Sequence, residues 1–158
     1  MINDPIGNFL ACLERGSFPI DAIPYDIISN CERVLKNFPQ ADGPVESKFV
    51  NNNGLNIYVR TLRLSAGQIL TSKLHKTRHP FVVTEGVITI FSTTNGLELI
   101  KAPYYGVTQP GTKRLAYVNQ DTVWTTYHIT NASTVSEAER EIIEEDETKI
   151  NTLLCLSQ

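Results

Sequence analysis

The sequence predicts a mainly β fold, a small barrel or sandwich with helices before it and one helix after it. From residue 55 to residue 130, eight short runs alternate apolar and polar side chains and follow one another at intervals of about ten residues. Turn-forming pairs such as Glu85-Gly86 and Asn95-Gly96 separate these runs. On either side, apolar residues recur at steps of three and four, as they do in helices.

Two helices are predicted in an N-terminal arm over residues 1–39. Asp4 and Pro5 are typical of an N-cap and a first helical position, and Gly16 is typical of a helix end. A second helix is predicted over residues 25–37, because apolar residues keep a helical spacing up to Phe38-Pro39. The barrel is expected over residues 40–130, and its first part, residues 40–54, is rich in turn residues.

The C-terminal segment, residues 131–158, is predicted to begin with a helix. Ser136 and Glu139 have the spacing of a capping box. Seven of the 17 acidic residues fall between Glu137 and Glu147, which indicates a solvated helix face or a docking surface for a basic partner. The apolar residues of the last nine positions are expected to pack on the barrel or on a second copy of the chain.

Composition excludes several classes of protein. The 158 residues suit one domain, and the three cysteines lie far apart, which argues against a zinc knuckle or a disulfide framework. A net charge of −3 and the lack of a basic stripe argue against binding to duplex nucleic acid. No run is long and apolar enough for a membrane span, and no signal peptide is visible, so neither membrane insertion nor secretion is expected.

The residues that suggest chemistry concentrate in the stretch KLHKTRHPFVVTEG, residues 73–86. Residues of equal parity share one face of a strand, so Lys73 and His75 are expected to point together. His79 would face the same way as the alternate residues after it, and Trp124 would share a face with His128. If both faces turn inward, all three histidines line one cavity of the barrel.

Three interpretations of this cavity remain open. His75, His79 and His128 would hold a divalent transition metal such as Zn, Fe, Ni or Mn, although an ammonium at Lys73 would oppose it. Alternatively, the basic residues and histidines would surround a small anionic or nucleotide-like ligand, with an aromatic side chain stacked on it. The residues predicted to bind it are Lys73, His75, His79, Lys113, Arg114, Trp124 and His128. In the third interpretation these side chains are structural.

The order of residues in GQILTSKLHKTRHPFVVTEGVITI and in PGTKRLAYVN resembles the two motifs of the cupin superfamily. The resemblance implies a mainly β, cupin-type double-stranded β-helix (jelly-roll) barrel. His75 then takes the second histidine position, His79 the glutamate position and Lys73 the first histidine position of the family's metal site. The family's third histidine falls at Arg114 or Leu115, so two of the four usual ligands are absent.

Residues 40–150 are also similar to small cupin-like proteins encoded by tailed bacteriophages, which implies a location in the host cytoplasm or in the virion. One expected function is a single-domain protein that binds a small ligand, with a use against host defence. The other is a non-enzymatic head or tail component that docks on virion proteins. A homodimer or higher oligomer is expected, and no reaction type or catalytic residue is predicted. The similarity rests on IYVR at 57–60, HKTRH at 75–79, PGTKR at 110–114 and DTVWTTYH at 121–128.

Overall fold

The structure is a computed structural model that describes residues 4–40 and 45–157. The predicted fold class, a mainly β barrel with helices at both ends, is confirmed. Within these residues, no helix is both long and apolar enough to cross a bilayer. The elements in chain order are α1 (Pro5–Arg15), α2 (Pro24–Leu35), β1 (Val45–Asn52), β2 (Leu55–Leu64), β3 (Ile69–Thr71), β4 (His79–Ser92), β5 (Gly96–Lys101), β6 (Tyr104–Thr108), β7 (Arg114–Ile129), α3 (Val135–Ile142) and α4 (Ile150–Cys155).

Two long strands, β4 and β7, organise the antiparallel sheet. Its order is β1-β2-β7-β4-β5, with β3 paired to β7 and β6 paired to β4. The first part of β4 pairs with β6 and the end of β7, whereas its second part pairs with β5 and the start of β7. Both long strands therefore belong to two halves of the sheet. The halves pack on each other through a buried core of Phe81, Val83, Ile88, Ile90, Ile100, Ala116, Val118 and Trp124.

Gly86 lies where β4 bends from one half to the other. The register between β4 and β7 shifts between Val83 and Ile88, and Gly86 has a φ of 89°. A Cβ atom at Gly86 would lie 2.1 Å from the carbonyl oxygen of Asp121. Because only glycine permits this φ and this approach, the Glu85-Gly86 pair forms a bulge inside one continuous strand. The sequence had indicated a turn between two strands.

The predicted helical arm covers the outside of the second half of the sheet. The Asp4 carboxylate accepts a hydrogen bond from the Gly7 N–H at 2.9 Å, and Gly16 ends α1 with a φ of 68°. Phe91 and Leu115 pair across β4 and β7 and alternate with inward-facing residues, so they point outward. The two helices bury this outer surface through Phe9, Ile28 and Cys31.

Further local predictions differ from the structure. Part of the turn-rich segment 40–54 is strand β1, which pairs with β2, and residues 41–44 lie outside the described residues. Only residues 69–71 of the run QILTSKLHK are a strand, because the chain then leaves the sheet. The capping box of α3 is Thr134 with Glu137, two residues before the predicted pair, since this register buries Ala138 and Ile142.

The C-terminal residues pack on the protein's own barrel. Ile150 and Leu153 of α4 are buried against Leu74, and Leu154 is partly buried beside them. Leu156 is exposed. Packing on the barrel, rather than on a second copy of the chain, therefore accounts for the burial of Ile150 and Leu153.

A buried lysine joins the arm, the barrel and the C-terminal segment. The Lys113 ammonium lies 2.8 Å from Glu32 Oε2 of α2 and also pairs with Glu147, to which the Tyr25 hydroxyl donates at 2.6 Å. Burial lowers the pKa of Lys113, but the hydrogen bonds to Glu147 and Glu32 outweigh it and hold that pKa above its ordinary value. Three segments that are distant in sequence therefore share one charge network.

Replacing this lysine is expected to destabilise the fold. In Lys113→Met, two carboxylates lose their counter-ion but remain partly hydrated, so the free energy of unfolding should fall by about 1 to 3 kcal/mol. Urea denaturation measures the change. The control is Lys149→Met, whose side chain is 56% exposed in its ion pairs, and it should stay within about 0.5 kcal/mol of wild type. Equal stability of the two variants would show that the network contributes nothing.

Candidate functional site

A cavity of about 300 Å³ lies inside the barrel, between the two halves of the sheet. Side chains of β2, β3, β4 and β7 form its walls, and Glu139, Ile142 and Ile143 of α3 and its end cover one side. This volume is at the lower end of the range for small-molecule sites, which indicates a small ligand.

The wall formed by β2 and β7 changes from polar to apolar along the cavity. Successive inward pairs are two residues apart, or about 7 Å along the strands. In order they are Tyr58 with His128, Arg60 with Thr126, Leu62 with Trp124, and Leu64 with Thr122. We name the two regions by their lining residues: the cationic end is Arg60, Lys73, His75, Arg114 and His128, and the apolar end is Leu62, Leu64, Leu70, Ile88, Ile90 and Trp124.

The structure brings the three histidine rings together. The ring centroids of His75 and His79 are 5.0 Å apart, and those of His79 and His128 are 4.1 Å apart. His75 and His128 line the cavity, whereas His79 packs against both rings without being one of the lining residues. All three are buried, with exposed fractions of 8%, 2% and 5% respectively.

Backbone hydrogen bonds hold His75 in place outside any strand. Its N–H donates to the carbonyl of Thr112 at 2.9 Å, and its carbonyl accepts from the N–H of Gly111 at 2.8 Å. On the other side, the Lys76 N–H donates to the carbonyl of Ile142 at the end of α3. The segment is thus fixed between the β6–β7 turn and α3, and this turns His75 inward.

The histidines are neutral at neutral pH. Burial lowers the pKa of His79 to about 3 and that of His128 to about 4, and it holds the pKa of His75 well below its ordinary value. His79 Nδ1 lies 3.1 Å from the carbonyl oxygen of Thr77, which can only accept, so Nδ1 carries the proton. One buried ring nitrogen of each histidine has no hydrogen-bond partner among the described residues: His75 Nδ1, His79 Nε2 and His128 Nδ1.

Arg114 places a positive charge inside the cavity. Its guanidinium donates to Thr108 Oγ1 at 2.9 Å and lies 5.4 Å from the centroid of Phe81 and 5.5 Å from that of Trp124. Burial lowers the pKa of Arg114 to about 10, while Glu98 and Tyr104 act in the opposite direction. Arg114 is therefore still charged at neutral pH. Among the described residues, neither Arg114 nor Arg60 forms an ion pair.

The side chains do not fit the divalent metal that the cupin resemblance implies. The described residues contain no group of three or more His, Cys, Asp or Glu side chains placed to hold an ion. The charges of Arg60 and Arg114 oppose protonation of the neighbouring imidazoles, and the same repulsion would act on a divalent cation. A metal site at His75, His79 and His128 finds no support in this geometry.

The other predicted ligand-binding residues divide into two groups. Arg114 and Trp124 line the cavity, and Lys73 lines it from an exposed position at its rim. The placement of Lys113 in the cavity is wrong, because its ammonium lies among carboxylates outside the barrel. Lys113 and Arg114 are neighbours in extended chain, and such neighbours project to opposite sides of the sheet.

Two charged residues of the cavity lining, Arg60 and Glu139, were missed from the sequence. Arg60 lines the cavity beside the imidazoles, and the signal for it was present, because Arg60 alternates with inward-facing Tyr58 and Leu62 in β2. A basic residue on an otherwise apolar face of a strand is unusual enough to mark a site. Glu139 also lines the cavity, from α3, and no sequence signal connects it with the barrel.

Known structures with similar folds include a double-stranded β-helix protein from Klebsiella pneumoniae, with 16% identity and a TM-score of 0.45 over 63% of this chain and 84% of the other. A cupin-2 domain protein from Shewanella frigidimarina has 13% identity and a TM-score of 0.42 over 64% and 93% of the two chains. A Neisseria meningitidis protein has 11% identity and a TM-score of 0.43 over 64% and 97%. No protein-family model and no curated protein matches the sequence. These similarities concern the fold, so the site must be interpreted from its own residues.

The buried histidines are expected to make the protein sensitive to acid. Because their pKa values are lower in the folded state than the usual value of about 6.5, the unfolded chain takes up protons first as the pH falls. The contribution of the neutral histidines to the free energy of unfolding should be fully present above about pH 6.5. It should be lost as the pH falls toward their folded-state pKa values, by about 1 to 2 kcal/mol per histidine at pH 5. In His79→Gln, the decrease in the free energy of unfolding from pH 7 to pH 5 should be smaller than in wild type by this contribution of one histidine.

Urea denaturation at both pH values measures this difference, with each variant compared with itself. Arg63→Gln is the control, because Arg63 is an exposed residue of β2 that pairs with Glu46 at the surface. It should keep the wild-type loss. A wild-type stability that is constant between pH 7 and pH 5 would contradict the assignment of neutral, buried imidazoles.

Proposed function

We propose that the protein binds a small organic anion inside its barrel, without a metal ion. The observation that carries this proposal is the Arg114 guanidinium, which lies in the cavity wall with a hydroxyl and two aromatic rings as its contacts. No carboxylate of residues 4–40 and 45–157 is paired with it. A charge taken out of water without a counter-ion is unfavourable by several kcal/mol. An anion that enters the cavity would supply the missing counter-charge.

The other residues of the cationic end support the same function. Arg60 and Lys73 add two basic side chains to the lining. Arginine presents a planar set of N–H donors that matches the two oxygens of a carboxylate. Attraction between charges is also stronger in a cavity that excludes water than at a surface. Several weak cationic contacts therefore combine into one anion site.

The imidazoles add polar contacts beside the arginines. His75 and His128 line the cavity, and each has a buried Nδ1 atom with no hydrogen-bond partner in the part of the chain that the structure describes. Leaving such an atom unpaired costs about 1 to 3 kcal/mol. Rotation of either ring would turn its unpaired nitrogen toward the cavity, where a hydroxyl group of the ligand or a bound water molecule would be its partner. Neutral imidazoles also avoid the repulsion that two imidazolium rings would feel beside Arg114.

The proposed activity is binding, since the cavity assigns no nucleophile and no reaction. The resemblance to bacteriophage proteins and the use against host defence remain predictions. The role in a virion head or tail and the formation of a homodimer also remain predictions.

Removal of either arginine charge from the cavity wall is expected to abolish most of the binding. In Arg114→Met and in Arg60→Met, affinity for butyrate or benzoate should fall about 10- to 100-fold, because a charge-assisted hydrogen bond contributes about 1.5 to 3 kcal/mol. Isothermal titration calorimetry in buffer with a chelator measures this affinity. Arg63→Met is the matched control, because Arg63 lies on the same strand as Arg60 but pairs with Glu46 at the surface.

Stability separates a binding residue from a structural one. Since an unpaired buried charge is unfavourable, the thermal midpoint of Arg114→Met should equal or exceed that of wild type while its affinity falls. If no anion binds wild-type protein, or if Arg63→Met loses as much affinity as the two cavity variants, the proposal is wrong.

Purified protein is expected to carry far less than one transition metal per chain, even when it is prepared without chelator. The physical reason is the pair of arginines beside the imidazoles, which opposes a divalent cation. Inductively coupled plasma mass spectrometry measures the content, and added Zn²⁺ should leave the thermal midpoint unchanged. A stoichiometric metal that is lost in His128→Ala would overturn this expectation.

A further inference from the structure

We infer that the ligand is an amphipathic monocarboxylate, with its carboxylate at the cationic end and an apolar body in the apolar end of the cavity. This inference rests on the proposed anion site and names the chemical class that the site takes. It depends on the apolar residues that line the rest of the cavity. A site for an anion without an apolar part would not need them.

The polarity of the cavity changes in one direction. From the Arg60–Thr126 pair to the Leu64–Thr122 pair, β2 advances by four residues, or about 14 Å. Over this distance the inward side chains of β2 change from a guanidinium to two leucines. Side chains from the other half of the sheet complete the apolar end, namely Leu70, Ile88 and Ile90. A ligand that fills the cavity must therefore differ between its two ends.

The apolar end is unsuited to a second polar group. Leucine and isoleucine side chains have no donor or acceptor, and burial of an amide or hydroxyl without a hydrogen bond costs about 1 to 3 kcal/mol. The sugar and base of a nucleotide would bring several such groups against Leu62 and Leu70. The cavity thus disfavours the nucleotide-like ligand that the sequence had suggested, and it favours a hydrocarbon chain or ring.

Trp124 lies at the boundary between the two ends. Its ring stacks on Phe81 with the centroids 4.3 Å apart, and the Arg114 guanidinium lies 5.5 Å from its own centroid. In the cavity wall it is the cross-strand neighbour of Leu62. The ring thus offers a flat apolar surface directly next to the charge. In a carboxylic acid, the hydrocarbon part begins directly next to the carboxylate. Such a ligand matches a cavity whose lining changes from charged to apolar within the length of one side chain.

The volume limits the size of the ligand. A cavity of about 300 Å³ has room for roughly ten water-sized atoms, since water occupies about 30 Å³ in the liquid. An acid of about six to eight carbon atoms meets this limit, and a long-chain fatty acid exceeds it. The inferred class is therefore a medium-chain or aromatic monocarboxylate.

A homologous series of acids tests the inference. Isothermal titration calorimetry in chelator-containing buffer compares acetate, butyrate and hexanoate with inorganic phosphate and adenosine monophosphate. Affinity should rise about two- to fourfold with each methylene group, because burial of one contributes up to about 0.8 kcal/mol. Phosphate and the nucleotide should bind more weakly than hexanoate does.

Two variants test which end of the cavity holds the hydrocarbon part of the ligand. Ala116→Leu adds volume beside Ile90 in the interior of the barrel, and Leu70→Asn makes the apolar end polar. Both should lose about tenfold or more of the hexanoate affinity, and acetate should bind as it does to wild type. The control is Leu99→Asn, since Leu99 is 57% exposed on β5. It should leave the whole series unchanged.

The outcomes separate this inference from the proposed function. If hexanoate binds no tighter than acetate and both are lost in Arg114→Met, the anion site stands and the amphipathic class is wrong. Tighter binding of the nucleotide than of hexanoate would also overturn the class. If no member of the series binds, the anion site itself is wrong. A rise in affinity that survives in both Ala116→Leu and Leu70→Asn would place the chain elsewhere.

Discussion

The site depends on the pairing of one strand, β7, with three others. This strand of 16 residues pairs with β3 and the second half of β4 near its start, and with β2 and the first half of β4 near its end. Its alternate side chains must therefore face the interior of both halves of the sheet. Arg114 and His128, which are 14 residues apart, reach one cavity because the same backbone ladder carries both.

The neighbouring residues Lys113 and Arg114 carry the same charge in opposite surroundings. Lys113 is buried with Glu32 and Glu147, so its charge is compensated and joins distant segments of the chain. Arg114, the next residue, points the other way, into the cavity wall, and is partly buried with no carboxylate paired to it among the described residues. A compensated charge joins segments of the chain, whereas an uncompensated one is unfavourable unless a counter-ion reaches it. The cavity thus joins a frame held by ion pairs to polar groups for which the proposed anion would be the partner.

Much of the fold was predictable because its signals are local. Asp4, Pro5 and Gly16 mark the ends of α1 by their own backbone and side-chain chemistry, and the structure agrees. The alternation in the last strand placed Trp124 and His128 on one face, and the structure agrees. The β-bulge at Gly86 was missed, since a glycine with positive φ looks the same in a turn and in a bulge until the partner strand is known.

The sequence by itself determined the local elements and the alternation that turns Trp124 and His128 to one side, whereas the continuous strand that brings Arg114 to the same face was decided by the tertiary structure. Tertiary structure alone decided that Lys113 lies outside the barrel, that Arg60 joins the histidines, and that α3 covers the cavity. The physical reason is that periodicity specifies a face of each strand, whereas the environment of that face depends on which strands pair and what packs over them. Burial, which lowers the pKa values of the histidines and of Arg114, arises only when the two halves of the sheet close on each other.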